Sequence, residues 1–302
     1  MIVYHKNNEI DRLQWDNCIK NIPGVKPYPY SWYLDIMASG WEALVDDDYD
    51  SVFPIPNYTR FGFQYVATPA FLQQLGAFSP DKPSSESIKE FLEFMPDFYK
   101  HIDLCIGQKI QLNGFKVTEM ANYELDLSKS YEKIWENFLP HCKKAIEASA
   151  KKKPELVTDI TPDEIIDMII MDSLKKIRGI RIRDFQRLKI LMNFCLKNKK
   201  GRLIGVRTTR KRLIFGLFII ETHGNKTLGL MLNTQESITK RISYFIINEL
   251  IRTYSSTRTI LDFAGISVPM VDSFKESFGC VNVPYYRIYR NRLFWPVRKM
   301  KF

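Results

Sequence analysis

Between Arg202 and Asn233 the chain carries three strand-like runs, Arg202 to Thr208, Leu213 to Thr222 and Thr227 to Asn233, joined by the short links Arg210-Lys211 and His223-Gly224-Asn225. Links of that length allow antiparallel hairpins, because a parallel return needs a crossover of about a dozen residues or more. After the meander, the spacing predicts a helix over about Ser237 to Tyr254, a strand over Thr259 to Phe263, a helix near Val268 to Phe278 and a last strand over Tyr285 to Tyr289. An antiparallel meander that runs into strand-helix alternation predicts an α/β (α+β) architecture, a mixed sheet with helices on its faces.

Upstream of the meander the chain is helical. Thr161-Pro162-Asp163-Glu164 combines a cap, a first-position proline and a glutamate three residues after the cap, and Ile165, Ile166, Met168, Ile169 and Leu174 supply an apolar face. A second helix over about Arg183 to Asn198 is expected to stop at Gly201 after a basic last turn. Earlier elements are shorter: strands at Trp41 to Val45, Ser51 to Pro56 and Gln64 to Ala67, then a Ser-capped helix over Ser87 to Tyr99, then strands near Lys109 to Gln111 and Tyr123 to Leu127. Helices lengthen from Ser128 onward. With 302 residues and about 100 to 200 per domain, this change divides the chain into domains 1–127 and 128–302. No internal repeat links the two halves.

The charge is divided as unevenly as the elements. Residues 1–140 hold 12 basic and 20 acidic side chains, and residues 141–302 hold 32 and 14. The second part is thereby pointed towards polyanions: nucleic acid, nucleotide phosphates or anionic lipid headgroups. Lys143-Lys144, Lys151 to Lys153 and the set Arg178, Arg181, Arg183, Arg187 fit phosphate contacts, and fit equally a solvated helix face. The tail from Arg287 to Lys299 mixes cations with Phe294 and Trp295, as tRNA-binding and membrane-surface segments both do; docking on the core is the other reading.

Several classes drop out. The 45% hydrophobic content is that of a chain that buries a core, which excludes collagen-like and low-complexity chains. Five cysteines lie far apart with no CxxC pair, against a disulfide framework or a cysteine metal site, and the four histidines form no HExxH, so no metal is expected. GxGxxG, Walker and GxSxG motifs are absent. The opening MIVYHKNNEIDRLQWDNC lacks the order of a secretory signal, and no run approaches 18 apolar residues; a cytoplasmic protein is expected, at most peripheral to a membrane.

Near the C-terminus stand Leu261-Asp262-Phe263-Ala264-Gly265-Ile266-Ser267 and Phe274-Lys275-Glu276-Ser277-Phe278-Gly279. These segments resemble the end of the Fem-type (FemABX) aminoacyl- and peptidyl-transferases, in which a strand leads into an F-K-x-x-F/Y-G segment. Tyr123 to Ser128, followed by Tyr131, Ile134 and Trp135, is similar to the passage into that family's second domain. Residue by residue the likeness is confined to these stretches, while the order of elements extends it over the whole chain. It implies tandem GNAT-like domains, each a twisted mixed sheet flanked by helices, with catalysis in or beside the second. It further implies transfer of an aminoacyl or acyl group to an amine, from aminoacyl-tRNA or, in more distant relatives, acyl-CoA. By match, Lys275 sits at the reaction centre with Phe274 beside it.

Acyl transfer to an amine needs a neutral amine, a donor for the developing oxyanion and a proton for the leaving group. Lys275 suits the second role, and its other reading is an exposed helix lysine between the core residues Phe274 and Phe278. Asp262, at a presumed strand end, suits the binding and deprotonation of an ammonium, and suits a turn acceptor as well. Gly265 permits a tight turn or a close approach to substrate. Gln73 and Gln74, a polar pair in the apolar loop Phe71 to Phe78, fit either substrate contact or buried amides satisfied by backbone. A CoA enzyme of the GNAT type should offer small residues in Q/R-x-x-G-x-G/A, but after Asn233 the chain has Gln235-Glu236-Ser237-Ile238-Thr239-Lys240. Ile238 and Lys240 would obstruct a pyrophosphate and Glu236 would repel it, which weighs against CoA.

The expectation is thus an N-acyl- or aminoacyltransferase with no permanently bound cofactor, acting on a small-molecule or peptide amine, with tRNA or anionic lipid as further contacts. The alternative is a catalytically silent protein of the same fold that binds RNA or an anionic surface.

Overall fold

The computed structural model describes residues 1–46, 48–172, 180–264, 269–295 and 297–299. The chain forms two units, Met1–Ala121 with Pro284–Phe302, and Asn122–Val283.

The first unit runs β1 (Ile2–His5), α1 (Arg12–Lys20), α2 (Ser31–Met37), β2 (Glu42–Asp46), β3 (Ser51–Ile55), β4 (Asn57–Arg60), β5 (Phe63–Ala67), α3 (Ser85–Glu93), β6 (His101–Ile106) and β7 (Lys116–Met120). β1, β2 and β3 form a three-stranded antiparallel sheet. Its core is aromatic, with Trp15 and Trp41 fully buried edge to face at 4.6 Å and Phe53 stacked on Phe91 at 5.8 Å. α3 starts where the Ser84 hydroxyl accepts the Ser87 N–H, buries Ile88, Phe91 and Leu92, and ends ahead of Pro96, short of the expected Tyr99. Lys109 to Gln111 is loop; the strands fall on either side of it, as β6 and β7.

The second unit runs β8 (Tyr123–Asp126), α4 (Tyr131–Glu136), α5 (Pro140–Ala150), β9 (Leu156–Val157), α6 (Pro162–Asp172), α7 (Ile182–Lys197), β10 (Gly201–Arg207), β11 (Leu213–Thr222), β12 (Asn225–Asn233), α8 (Gln235–Lys240), α9 (Ile242–Tyr254), β13 (Ile260–Asp262), α10 (Pro269–Glu276) and β14 (Val281–Asn282). The expected meander is β10-β11-β12, antiparallel throughout, inside a seven-stranded sheet of order β14-β8-β13-β12-β11-β10-β9. Only β12 and β13 run parallel, joined by the crossover through α8 and α9. The capping box of α6 forms: the Glu164 N–H donates to Thr161 Oγ1 at 3.3 Å and the Thr161 N–H to Glu164 Oε2 at 2.9 Å.

Three expectations are corrected. Gly201 does not cap α7; the left-handed residue is Lys199 at φ 53°, and Gly201 opens β10, where a Cβ would meet the Ile219 carbonyl oxygen at 2.5 Å. The helix expected over Ser237 to Tyr254 is two helices, broken at Arg241, which takes φ 59°. The last strand, β15 (Tyr285–Asn291), belongs to the first unit, between β6 and β7 in a five-stranded sheet of order β4-β5-β6-β15-β7. The units therefore divide at Ala121/Asn122 and again at Val283/Pro284, in place of one cut after Leu127. β8 lies in the second unit because it pairs with β13 and β14. By these divisions the second unit holds 28 basic and 18 acidic residues and the first holds 16 of each.

The fold is a mixed α/β arrangement of twisted sheets flanked by helices. Among the described residues no helix is long and apolar enough to cross a membrane.

Candidate functional site

Asp262 closes β13, whose pairing with β12 covers only Asn225↔Ile260, Lys226↔Leu261 and Thr227↔Asp262. Beyond Thr227, β12 continues to Asn233 with no strand on that side among the described residues. A register shift opposite Phe218/Ile219 leaves Gly229 as the extra residue of β12, a bulge that bends the strand. The carboxyl ends of parallel strands are the usual ligand position in open α/β sheets.

The Asp262 side chain is wholly buried at this point. Its Oδ1 accepts the Ala264 N–H at 3.1 Å and Asn122 Nδ2 at 3.0 Å. The first contact is an Asx-type turn that carries the chain off the strand, with Ala264 at φ 37°. The carboxylate is thus the turn acceptor that the sequence allowed.

Lys275 lies on α10 with 3% of its surface exposed. Nζ donates to the Ala264 carbonyl at 2.8 Å and sits 5.6 Å over the Tyr123 ring. Burial pulls its pKa below the ordinary lysine value, against the opposing charges of Asp272, Asp262 and Cys280. An ammonium has three N–H donors, and one is spent on Ala264. Ala264 therefore joins the two polar groups: its N–H goes to Asp262 and its carbonyl receives Lys275.

The rest of the F-K-x-x-F-G segment holds this geometry. Phe278 is fully buried against Phe138, Tyr244 and Phe263, and Phe274, half-buried, packs edge to face on Tyr244 at 4.8 Å and on Phe278 at 5.3 Å. With both aromatics on one side of the helix, Lys275 is turned towards β8 and β13. Gly279 then ends the helical turn at φ 71°, where a Cβ would stand 3.0 Å from Asn137 Cβ and 3.1 Å from its carbonyl oxygen.

Three members of the cluster carried no sequence signal for the site. Asn122 is wholly buried and braces Asp262, its own N–H donating to Asn282 Oδ1 at 3.2 Å. The Tyr123 hydroxyl donates to Glu276 Oε1 at 2.8 Å, and burial together with that carboxylate pushes its pKa up to about 12. Cys280 lies near Lys275, and burial raises its thiol pKa. Of the three, Tyr123 alone falls in a stretch with a family likeness, as the first residue of the segment similar to the passage into the Fem-type second domain.

Gln73 and Gln74 belong to the first unit, Gln73 buried and Gln74 half-buried. Their loop is held in place by backbone: the Leu75 N–H donates to the Cys105 carbonyl at 2.8 Å, and Phe78 exchanges two 2.8 Å bonds with Val52. Gln74 lines a cavity of about 470 Å³ together with Lys26, Tyr28 and Gln108. Gly265 and Arg178 lie outside the described residues.

After β12, the Thr234 hydroxyl accepts the Ser237 N–H at 3.3 Å and the Ile238 N–H goes to the Thr234 carbonyl at 3.0 Å. Glu236 is paired with Lys240 at 2.6 Å and with Arg212, and Ile238 is exposed. These first-turn amides are spent within α8, and a carboxylate stands among them.

No family model matches the sequence, and no curated protein matches it. Solved structures do. A crystal structure of FemX aligns with a TM-score of 0.67 at 10% identity, over 92% of this chain and 96% of that one. A conserved protein of unknown function from Bacteroides thetaiotaomicron VPI-5482 aligns with a TM-score of 0.59 at 12% identity, over 96% and 99%. L-PGS from Bacillus licheniformis aligns with a TM-score of 0.51 at 12% identity, over 91% and 95%. The Fem-type resemblance carried by the C-terminal motifs thus extends to the fold of nearly the whole chain.

Proposed function

We propose that the protein transfers an aminoacyl or acyl group to an amine, with Lys275 as the oxyanion donor and Asp262 as the carboxylate that binds the attacking amine and takes up its proton. One observation carries the reading: a lysine driven into the interior beside a parallel-strand end, within electrostatic reach of Asp262 and held through the shared residue Ala264. A cation buried at this cost without a carboxylate in direct contact among the described residues is unusual for a structural lysine. It is the arrangement that meets a carbonyl oxygen as it gains charge.

In the proposed step the neutral amine attacks the carbonyl carbon of an ester or thioester. A C–N bond forms, the carbonyl electrons move to an oxygen that accepts from Lys275 Nζ, and the amine proton passes to Asp262. Collapse breaks the bond to the leaving group, which departs with a proton. Phe274 would wall this centre from water, and Gly265 would let substrate approach the turn. In the first unit, Gln74, on the wall of that unit's own cavity, and the neighbouring Gln73 are proposed as substrate contacts there.

Aminoacyl-tRNA is the favoured donor over acyl-CoA. α8 spends the Ser237 and Ile238 amides on its own cap residue Thr234 and holds Glu236 where a pyrophosphate would need neutral N–H groups. The likeness of the fold to FemX agrees with the Fem-type resemblance of the C-terminal motifs, and that resemblance is what implies aminoacyl-tRNA as donor. The acceptor is proposed to be a small-molecule or peptide amine, and the place of action the cytoplasm, with anionic lipid headgroups as a further contact.

The excess of ten basic residues in the second unit favours a second reading, a silent binder of RNA or an anionic surface. Incubation of the protein with total tRNA carrying labelled amino acids, beside a pool of acyl-CoA esters and a panel of primary amines and amino-terminal peptides, separates the two. Label moved from tRNA to selected amines supports the transferase. Salt-sensitive tRNA binding with no transfer from either donor supports the binder.

A further inference from the structure

The first unit has a cleft of about 880 Å³ that the reading above does not use, between α3, the segment Ile110 to Phe115 and the end of β15. Arg290 and Arg292 stand on its wall. The Nε of Arg290 is buried with no hydrogen-bond partner, and its guanidinium lies 4.6 Å over the Phe115 ring. Among the described residues no carboxylate comes within 4 Å of either guanidinium. Other arginines do hold carboxylates: the half-buried Arg202 holds Glu221 at 2.7 Å and Arg207 holds Glu164 at 2.6 Å, and the exposed Arg287 on the same strand grips Asp103 through two bonds of 2.6 Å.

Lys89, Glu93 and Asp97 complete the charged lining, and Lys89 leans on Glu86 at 3.5 Å. Asp97 acts on Arg290 only beyond ion-pair distance, while burial and the like charge of Arg292 hold the Arg290 pKa below the ordinary arginine value. Two adjacent guanidinium groups, one half-sunk against an aromatic face and short of acceptors, present N–H forks matched to a planar or tetrahedral oxyanion. Clefts of this volume admit a whole small molecule.

We propose that this cleft binds a small-molecule anion through Arg290 and Arg292, the recognised group being a phosphate or a carboxylate. The bound oxygens supply the acceptor that Arg290 Nε lacks, and Phe115 fixes the plane of the guanidinium that meets them.

The test uses the full-length protein at constant ionic strength, with inorganic pyrophosphate and citrate as separate probes, read by melting temperature and calorimetry. A saturable rise in melting temperature with either probe in the millimolar range is expected, because a ligand that binds only the folded state raises its stability. Response to pyrophosphate alone assigns a phosphate ligand, and response to citrate alone a carboxylate one. Arg290→Met and Arg292→Gln should each weaken the apparent affinity at least about tenfold, whereas Lys129→Gln, an exposed lysine of the second unit, should not change it. If Arg290→Met fails to fold, Arg292→Gln, on an exposed side chain, decides. No saturable effect up to about 10 mM, or equal effects in wild type and Arg292→Gln, would overturn the proposal.

Discussion

Lys275 Nζ donates to the carbonyl of Ala264 at 2.8 Å, across eleven residues and the whole turn from strand to helix. The same residue's N–H caps Asp262 at 3.1 Å. Lysine, carboxylate and turn consequently meet at one residue.

Stability should report the buried lysine through pH. Its folded-state pKa is depressed by burial, so the unfolded chain holds the proton more tightly than the native one. As pH falls from the ordinary lysine value of 10.5 to the lowered native value, the unfolded state is favoured and stability is lost; as pH rises through the same window it is regained. Relative to Lys275→Met, the wild-type protein is expected to gain stability between those limits. Denaturant midpoints of both proteins across alkaline pH measure this, and parallel curves would deny the shift.

Catalysis should move the other way over the same range. A neutral lysine cannot serve as the cationic donor, so transfer is expected to decline on the alkaline side below pH 10.5. Lys275→Arg, where it folds, should carry activity to higher pH. A pH-rate profile checks this.

Asp262 separates its two roles by substitution. Asparagine keeps an oxygen for the Ala264 N–H and the Asn122 amide, while alanine removes it. Asp262→Asn should hold stability within about 1 kcal/mol and lose transfer by roughly 100-fold, and Asp262→Ala should lose both, with about 1 to 3 kcal/mol of stability for the orphaned partners. Equal turnover in Asp262→Asn and wild type would reduce the carboxylate to a turn acceptor.

Gly279 is a structural test of the same motif. At φ 71°, with Asn137 at 3.0 Å from an added Cβ, Gly279→Ala should cost about 1 to 3 kcal/mol, seen as a lower denaturant midpoint. An unchanged midpoint would mean the helix end relaxes freely.

How far the sequence reached is clearest at particular residues. The meander was legible because the links between β10, β11 and β12 admit one pairing, and the capping box at Thr161 and Glu164 announced α6. β15 was legible as a strand but not as a member of the first unit, since alternation encodes the strand and says nothing about its partner across 180 residues of chain, as in Tyr286↔Ile106. α8 and α9 read as one helix because Arg241 carries no breaker signal, although it takes the left-handed conformation that separates them. α1 and α2, of nine and seven residues, are shorter than the window over which helical periodicity stands out. At the site, motif resemblance singled out Lys275 and Asp262, whereas Asn122 enters through strand pairing 140 residues away.

The most direct measurement is the transfer rate of Lys275→Met beside its melting temperature. Methionine keeps the stem and removes a buried charge, so the fold should be as stable as wild type or more so near neutral pH. A fall in turnover of about 100-fold or more in a folded protein is what the account predicts, the scale of one lost oxyanion donor. Wild-type turnover in that variant would contradict it.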